Sequence, residues 1–374
     1  MAVLNTIDSL AGTETSLPRV ARGVYNRELL SRARPMLNYQ KFGQVKSLGL
    51  RQGQQMVFRR WNGLSQVTTP LTEGITPPGV SPTKTDVIAT LQWYGSYIPI
   101  TDKIELTHVD PIITEFSAIC GENMGESIDT IHANALSGGT NFVRVQDDDD
   151  STADLAPHDE AGPPARDTVG GTLCRTALDY AIRILDGANA KTFVPMVGPG
   201  GGQQSGPIAK AYYCLIHTNQ IHDLYNPKSG FMIFNTTTGT LSRDPAFTPV
   251  HQYASQSGVI EGEAGAYRNV RFIASTNNKV WADAGAALSG AGAGLKSTSG
   301  TSCDVYSVLV IARDAYGIVP LAGNSAKIIV KDRSSGGTSD PLEQRATIGW
   351  KAITCPAVIL NESWMVRIEC GTTA

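Results

Sequence analysis

The chain has 374 residues, enough for one elaborate domain or two compact ones, and its net charge of −3 gives no overall sign of nucleic-acid binding. Only 17% of the residues are charged, and glycine is abundant at 38 residues. A surface with so little charge is easily buried against other protein, which hints at assembly. The sequence shows neither a run of about 18 apolar residues nor a basic, apolar leader, so no membrane span and no signal peptide are predicted.

The first charged feature is a basic stretch, residues 19–60, in which ten basic side chains less the single acid Glu28 give +9. A short helix is predicted over 24–34, ended by Pro35. The stretch fits a solvated basic face, a surface that docks onto acidic protein, or a contact with DNA phosphate, and we favour docking onto protein. The ten basic residues are Arg19, Arg22, Arg27, Arg32, Arg34, Lys41, Lys46, Arg51, Arg59 and Arg60.

Two strands are predicted next, over 54–61 and 85–101. The second would extend about 55 Å, whereas ordinary strands hold about 3–10 residues, so we expect it to bend or to project beyond a compact body. The connection, 62–84, is rich in Thr, Pro and Gly and has no helical period. A two-stranded arm with such a tip is not stable alone in water, which predicts a neighbouring molecule on which it lies.

A long helix is predicted over 107–137, with Asp110 and Pro111 at its start and Ser137-Gly138-Gly139 as its stop. It would measure roughly 40 Å. Apolar side chains recur in steps of three and four, which is typical of one helical stripe: Ile112, Phe116, Ile119 or Cys120, Met124, Ile128, Ile131 and Ala135. Seven acids less the lone base Lys103 give −6 over 102–129, a candidate acidic surface: Asp102, Glu105, Asp110, Glu115, Glu122, Glu126 and Asp129.

The rest of the chain is predicted to contain both helices and strands. A helix is predicted over 171–187, a buried strand over 211–216, a short helix from there to Tyr225, and a low-complexity, mobile segment over 284–302. Asp147 to Asp150 lack the ligand spacing of a calcium loop, and 198–207 lacks the ending of a phosphate-binding loop. The closing strands need a packing partner, and the long helix offers the one long apolar face; these strands are 303–321, 326–330, 346–360 and 363–369.

No catalytic chemistry stands out. Nucleophile elbows, HExxH, Walker loops and paired C-x-x-C are absent, and His217 and His222 are five residues apart rather than four. The six scattered cysteines indicate reduced, mostly buried thiols in a cytoplasmic product. We therefore predict no catalytic, metal or cofactor-binding residues, no cofactor and no enzyme.

Several stretches together carry a resemblance that covers about residues 20 to 370. They are FRRWNGLSQVTTPLTEGITPPG (58–79), ESIDTIHANALSGGTN (126–141), GEAGAYRNVRFIAST (262–276), SDPLEQRATIGWKA (339–352) and ILNESWMVRIE (359–369). These resemble the major capsid proteins of tailed bacteriophages, in particular the subfamily of the podophage N-four coat protein. The resemblance implies an α+β chain with the Hong Kong-97-type phage capsid fold, shared with herpesvirus shells and encapsulins.

It also implies a map of the chain. Residues 1–45 would be an N-terminal arm, 46–101 an extended E-loop hairpin, 102–167 with 326–374 a peripheral domain holding the spine helix 107–137, and 168–325 an axial domain. Segments 146–166 and 195–208 have no counterpart in the family pattern. Some relatives cross-link lysine to asparagine covalently, but nothing in this sequence identifies such a pair.

The implied function is that of a coat protein whose copies form hexamers and pentamers of an icosahedral shell around double-stranded DNA. It would assemble in the bacterial cytoplasm and reside in the virion, with scaffolding, portal and decoration proteins as further partners, and with no membrane and no small-molecule substrate. An encapsulin-type compartment and a cytosolic enzyme are the alternatives. Predicted inter-subunit contacts are Lys41, Lys46, Arg51, Arg59, Arg60, Glu115, Glu122 and Glu126. Predicted inner-wall contacts to DNA are Arg19, Arg22, Arg27, Arg32 and Arg34.

Overall fold

The computed structural model describes residues 38–71, 73–76, 79–107, 112–146, 155–157, 165–193, 211–225, 231, 233–235, 240–242, 247–253, 259–260, 262–323, 326–333 and 340–374. The predicted helix 24–34, the helix start at Asp110 and Pro111, the acidic run Asp147 to Asp150 and the glycine-rich loop 198–207 lie outside these residues.

Within the described part the helices are α1 (Tyr39–Phe42), α2 (Asp102–Thr107), α3 (Ile112–Leu136) and α4 (Arg175–Gly187). Short 3-10 helices cover Arg166–Thr168, Thr218–Tyr225, Val250–Gln252 and Glu362–Trp364. The strands, in chain order, are β1 (Gln44–Val45), β2 (Gln55–Trp61), β3 (Lys84–Thr90), β4 (Gln92–Thr101), β5 (Phe142–Val145), β6 (Leu155–Pro157), β7 (Tyr212–His217), β8 (Ile233–Asn235), β9 (Thr240–Ser242), β10 (Thr248–Pro249), β11 (Glu263–Tyr267), β12 (Val270–Ser275), β13 (Val280–Trp281), β14 (Val305–Ile311), β15 (Tyr316–Ile318), β16 (Ala326–Lys331), β17 (Arg345–Thr354), β18 (Val358–Ile359) and β19 (Met365–Cys370).

The largest sheet has nine strands in the order β10-β11-β12-β7-β14-β19-β5-β6, with β13 paired to β14. Helix α4 covers one face, where Leu178 and Leu185 pack with Cys214, Val310 and neighbouring apolar residues. On the other face, Tyr39 and Phe42 of α1 and the C-terminal end of α3 pack against alternate residues of the same strands. Both faces are buried, which explains why β14 and β19 consist entirely of buried residues.

The long helix α3 links this sheet to a second one. Its N-terminal part packs on the three-stranded sheet β16-β17-β4, where Ile112, Cys120 and Ile128 meet Ile348 and Trp350. Its C-terminal part, through Ala133 and Leu136, packs on the nine-stranded sheet. The predicted helix and its stop are confirmed, since Gly138 and Gly139 donate to the carbonyls of the last turn. Within the predicted stripe, Phe116, Met124 and Ala135 are half-buried and pack against the two cores, and Ile131 is half-buried as well.

The structure divides the closing strands between the two parts of the long helix. Strands β16 and β17, together with β4, pack on its N-terminal part, whereas β14 and β19 lie in the nine-stranded sheet, which meets its C-terminal part. The predicted strand 303–321 is two strands, since Ala312 to Ala315 form a turn in which Asp314 has a φ of 61°. The predicted strand 346–360 is likewise divided at Cys355, Pro356 and Ala357.

The expectation of a mobile segment over 284–302 is also wrong. Leu295 is buried, and the Leu288 amide donates to the Thr301 carbonyl at 3.1 Å. Two carboxylates hold the loop: Asp283 accepts from the Ser297 hydroxyl at 2.8 Å and Asp304 from the Thr298 hydroxyl at 2.9 Å. The low complexity predicted a mobile loop because small residues bury little surface. These hydrogen bonds hold the loop in one conformation instead.

The predicted arm is a hairpin of β2 and β3, paired from Gln55 opposite Thr90 to Trp61 opposite Lys84. The predicted strand 85–101 does bend: it is interrupted at Leu91, after which β4 belongs to the three-stranded sheet. Phe58, Ala89 and Leu91 are buried and anchor the base of the hairpin. The Phe58 ring lies against Gly317, where an added Cβ would be 2.8 Å from it.

We expect Phe58→Ala to destabilise the hairpin base by about 3–5 kcal/mol, because the ring leaves a cavity over Gly317. Hydrogen exchange of β2 and β3 should accelerate. Val57→Ala is the matched control, since Val57 is 51% exposed on the opposite face of the same strand; it should change stability by no more than about 0.5 kcal/mol. Equal effects of the two substitutions would contradict the assignment of Phe58 as the anchor.

Candidate assembly surfaces

The tip of the hairpin is an exposed apolar loop. Beyond the bond from the Asn62 amide to the Thr83 carbonyl at 2.9 Å, no strand is present in the described part of 62–83. Six large apolar side chains of the tip are between 58% and 78% exposed: Trp61, Leu64, Val67, Leu71, Ile75 and Val80. Exposed apolar patches of this kind mark protein–protein contacts. The tip therefore has the character of a surface that another protein covers.

A basic cleft of about 250 Å³ lies at the base of the hairpin. Four cationic side chains line it together with a single acid, Asp314, and its apolar wall includes Phe58 and Trp364. The cationic residues are Lys46, Arg59, Arg60 and Lys191. The sequence reasoning missed Lys191, because only the folded chain brings it beside residues 46–60.

The cationic groups of the cleft are not equally available. Arg59 is held by two hydrogen bonds to Asp86 of the paired strand, at 2.8 and 3.0 Å, so its charge is largely matched within the hairpin. The hydrogen bonds to Asp86 and the negative charge of Asp86 raise the pKa of Arg59. The Lys46 ammonium lies 5.6 Å from the Phe58 ring centroid, and Arg60 is exposed. Lys46, Arg60 and Lys191 are thus the charges best placed to meet an anionic partner.

The remaining predicted basic contacts do not join this cleft. Lys41 is exposed on α1, and Arg51 is exposed in the turn between β1 and β2 with a φ of 66°. The predicted inner-wall arginines, Arg19, Arg22, Arg27, Arg32 and Arg34, lie outside the described residues.

Three predicted acidic contacts form one line along α3. Glu115, Glu122 and Glu126 are spaced by seven and four residues, which places them on the same side of the helix. Glu115 and Glu126 are exposed and Glu122 is half-buried, and none of the three forms a salt bridge with a described residue. Over about 16 Å this acidic line presents three carboxylates to solvent.

Two other acids of the predicted acidic surface do not belong to it. Asp129 is fully buried, and Glu105 forms a salt bridge with Arg333 at 3.1 Å. The charge of −6 counted along the sequence therefore overstates the acidic surface.

A buried charged cluster lies beside the C-terminal end of α3. Glu369, with no exposed surface, accepts from Arg144 at 2.7 Å, from Arg166 at 2.9 Å and from Arg367 at 2.9 Å. Burial alone would raise the pKa of Glu369, but the hydrogen bonds and charges of the three arginines outweigh it and the pKa lies below its usual value. The Arg367 guanidinium also donates to the carbonyls of Ser137 and Gly139, just past the end of α3. The cluster thus fixes the helix end to β5 and β19.

Sequence reasoning missed this cluster. The sequence does hold a sign of this cluster, namely arginine or glutamate residues inside the otherwise apolar strands β5 and β19. Charged residues are almost never fully buried unless they are paired, so such residues indicate a buried ion pair.

The described residues hold no group of three His, Cys, Asp or Glu side chains arranged for a metal ion, and no helix among them has the length and apolarity needed to cross a membrane. The six cysteines are free and buried, as predicted, and burial raises the pKa of Cys214 and Cys370. A buried, protonated thiol is a poor nucleophile.

These features describe an α+β chain in which one long helix bridges two sheets and a hairpin projects from the body. Comparison with solved structures shows that this fold is similar to that of phage capsid proteins. The capsid of Ralstonia phage GP4 matches with a TM-score of 0.58 and 12% identity, covering 97% of this chain and 99% of that chain. A cyanophage Pam1 capsid asymmetric unit matches with a TM-score of 0.56 and 12% identity, covering 94% and 96%. The capsid of cyanophage P-SCSP1u matches with a TM-score of 0.54 and 16% identity, covering 96% of each.

The similarity to known proteins is detected in the structure and not in the sequence. No protein-family model matches the chain, and no curated protein matches it significantly. At identities of 12–16% the structural matches define the fold, and the predicted α+β phage capsid fold is confirmed at that level.

Proposed function

We propose that the chain is the major capsid protein of a bacteriophage and has no enzymatic role. The observation that carries the proposal is the match to phage capsid structures over at least 94% of the chain. The exposed apolar hairpin tip supports the proposal, because such patches mark surfaces that bind other proteins. The unmatched charges of opposite sign on two surfaces support it as well, because copies of the chain could pair them. The coat protein would reside in the virion capsid after assembly in the host bacterial cytoplasm.

The finer picture is part of the same proposal. Copies form hexamers and pentamers that close into an icosahedral shell around double-stranded DNA, with the Hong Kong-97-type division into arm, E-loop, peripheral and axial domains. The N-four-like coat proteins are the proposed subfamily. Each interface is modest, and the many contacts of a closed shell act together to give its stability.

Two surfaces of neighbouring copies are proposed to meet in the shell. The basic cleft of one copy, with Lys46 and Arg60, lies against the acidic line Glu115, Glu122 and Glu126 of the next. Lys41 and Arg51 would extend the basic side. The arginines of residues 19–34 would face the packaged DNA, and a capsid map with those arginines on the outer surface would contradict that part.

Electron microscopy of the purified chain, alone and with a candidate scaffolding protein, tests the proposed function. We expect closed angular shells of uniform diameter, sedimenting far faster than a monomer. Double-stranded DNA inside shells taken from phage particles would separate a viral coat from a compartment that stores enzymes. Only small soluble oligomers under both conditions would contradict the proposal.

A further inference from the structure

A buried carboxyl group, Asp129 of α3, ties down the first described residues of the chain. Its Oδ1 accepts the backbone amide of Tyr39 at 3.1 Å, and its Oδ2 accepts the Asn277 amide at 3.4 Å. Tyr39 is the first residue of α1, and residues 1–37 precede this point. Asp129 therefore joins the short helix α1 to the long helix α3.

The surroundings of Asp129 are polar but almost uncharged. The Tyr39 hydroxyl donates to Asn278 at 2.8 Å, and the Tyr316 hydroxyl donates to the Tyr39 carbonyl at 2.6 Å. The one described cation that acts on the carboxylate is Lys41, whose side chain is exposed. No arginine or lysine of the described residues forms a salt bridge with Asp129, in contrast to Glu369.

A second titratable group, His132, lies one turn further along α3. It is fully buried, and neither of its ring nitrogens has a hydrogen-bond partner among the described residues; the same holds for the side-chain amide of Asn38. Unpaired polar groups at this depth cost free energy, so the attachment at this junction is weaker than one whose polar groups are all paired.

Burial has opposite consequences for the two groups. It raises the pKa of Asp129 to about 6 in spite of the amide donors and Lys41, which lower it, and it lowers the pKa of His132 to about 4. Between these values both side chains are neutral while the junction is closed. Once residues 38–42 are released, water solvates the Asp129 carboxylate and its pKa returns toward 3.8.

We propose that Asp129 is a proton-controlled latch, which holds residues 38–42 on the long helix tightly when its carboxyl is protonated and loosely when it is ionised. Because closure raises the pKa of this acid, the extra attachment is fully present below the pKa of the open state and is lost as the pH rises through about 6. The ratio of closed to open junction is expected to be about tenfold higher at pH 5 than at pH 8. The latch is independent of the proposed coat function, since a single copy contains all of it.

Hydrogen exchange of the full chain at pH 5, 6.5 and 8 tests the latch, with each rate divided by that of the unstructured peptide at the same pH. We expect protection of residues 38–46 to rise about tenfold from pH 8 to pH 5, while β17, the internal reference, stays constant. Asp129→Asn keeps an acceptor for the Tyr39 amide without the charge. It should show the high protection at every pH.

Two results would overturn the latch. One is protection of 38–46 that does not change with pH in the wild-type chain, a result that stands even if Asp129→Asn fails to fold. The other is protection that falls toward pH 5 and no longer does so in His132→Gln, which would assign the pH response to the charging of His132.

Discussion

Replacing Glu369 by glutamine is expected to lower the free energy of unfolding by about 3–5 kcal/mol, a large share of the total of about 5–15 kcal/mol that is usual for proteins. The substitution keeps the shape of the side chain and removes its charge. Arg144 and Arg367, which are 8% and 5% exposed, would then remain buried without their counter-charge. Arg367 would also lose the partner that aims its guanidinium at the carbonyls past the end of α3. We expect little soluble protein, or a melting temperature lowered by many degrees.

Glu73→Gln is the control, since Glu73 is an exposed acid on the hairpin tip and its neutralisation should change unfolding by less than about 0.5 kcal/mol. The pH dependence adds a second check. The folded pKa of Glu369 lies below the ordinary value of 4.5, so its contribution is fully present above that value and is lost as the pH falls through the folded pKa. The difference between wild type and Glu369→Gln should therefore shrink in acid. A variant as stable as wild type at pH 7 would show that the cluster does not stabilise the fold.

Reversing the charge of the basic cleft is expected to prevent assembly while leaving the chain folded. In Lys46→Glu with Arg60→Glu, two exposed cations become anions that would face the acidic line of the next copy. Like charges brought together cost several kcal/mol, and the cost repeats at every interface of a shell. We expect the assembled fraction, measured by sedimentation, to fall by about tenfold or more. Arg59 is left intact because its reversal would also break its bond to Asp86 within the hairpin.

The matching change on the acidic line separates a direct contact from a general effect of charge. Glu122→Lys with Glu126→Lys should also block assembly, and combining all four substitutions should restore it. Wild-type assembly should weaken with salt, because exposed charges are screened. Lys327→Glu with Lys331→Glu, on an exposed strand of the three-stranded sheet, changes the net charge by the same four units and is the control for a plain change of net charge. Failure of the four-fold variant to recover would contradict the proposed pairing of surfaces without contradicting the capsid fold.

Much of the local structure could be predicted from the sequence, because it depends on short-range patterns. The spacing of apolar residues and the glycines at 138 and 139 place the helix Ile112–Leu136 almost correctly. The length of 85–101 and the Pro- and Gly-rich segment before it indicate a projecting hairpin, and the structure has one. The prediction that the arm needs a neighbour agrees with the six exposed apolar residues of its tip, whose exposure only the structure shows.

The charges of Lys46, Arg60, Glu115 and Glu126 are exposed, and their role as inter-subunit contacts stays a prediction. Their partners within the chain were not predictable, because a charge in a sequence does not say which distant residue will meet it. Asp129 counted as surface acid and is buried, and Arg59 counted as a free cation and is bound to Asp86.

By itself, then, the sequence determined which segments are helical or extended, which faces are apolar and where a projecting arm leaves the body. These properties follow from residue periodicity and turn chemistry within a few residues of chain. Only the tertiary structure decided that β14 and β19 join the nine-stranded sheet while β16 and β17 join α3, and that three arginines converge on Glu369. Those outcomes depend on contacts between residues far apart in the chain, and Arg144 and Glu369 are separated by 225 positions. In such contacts burial sets the protonation and pairing of each charged group.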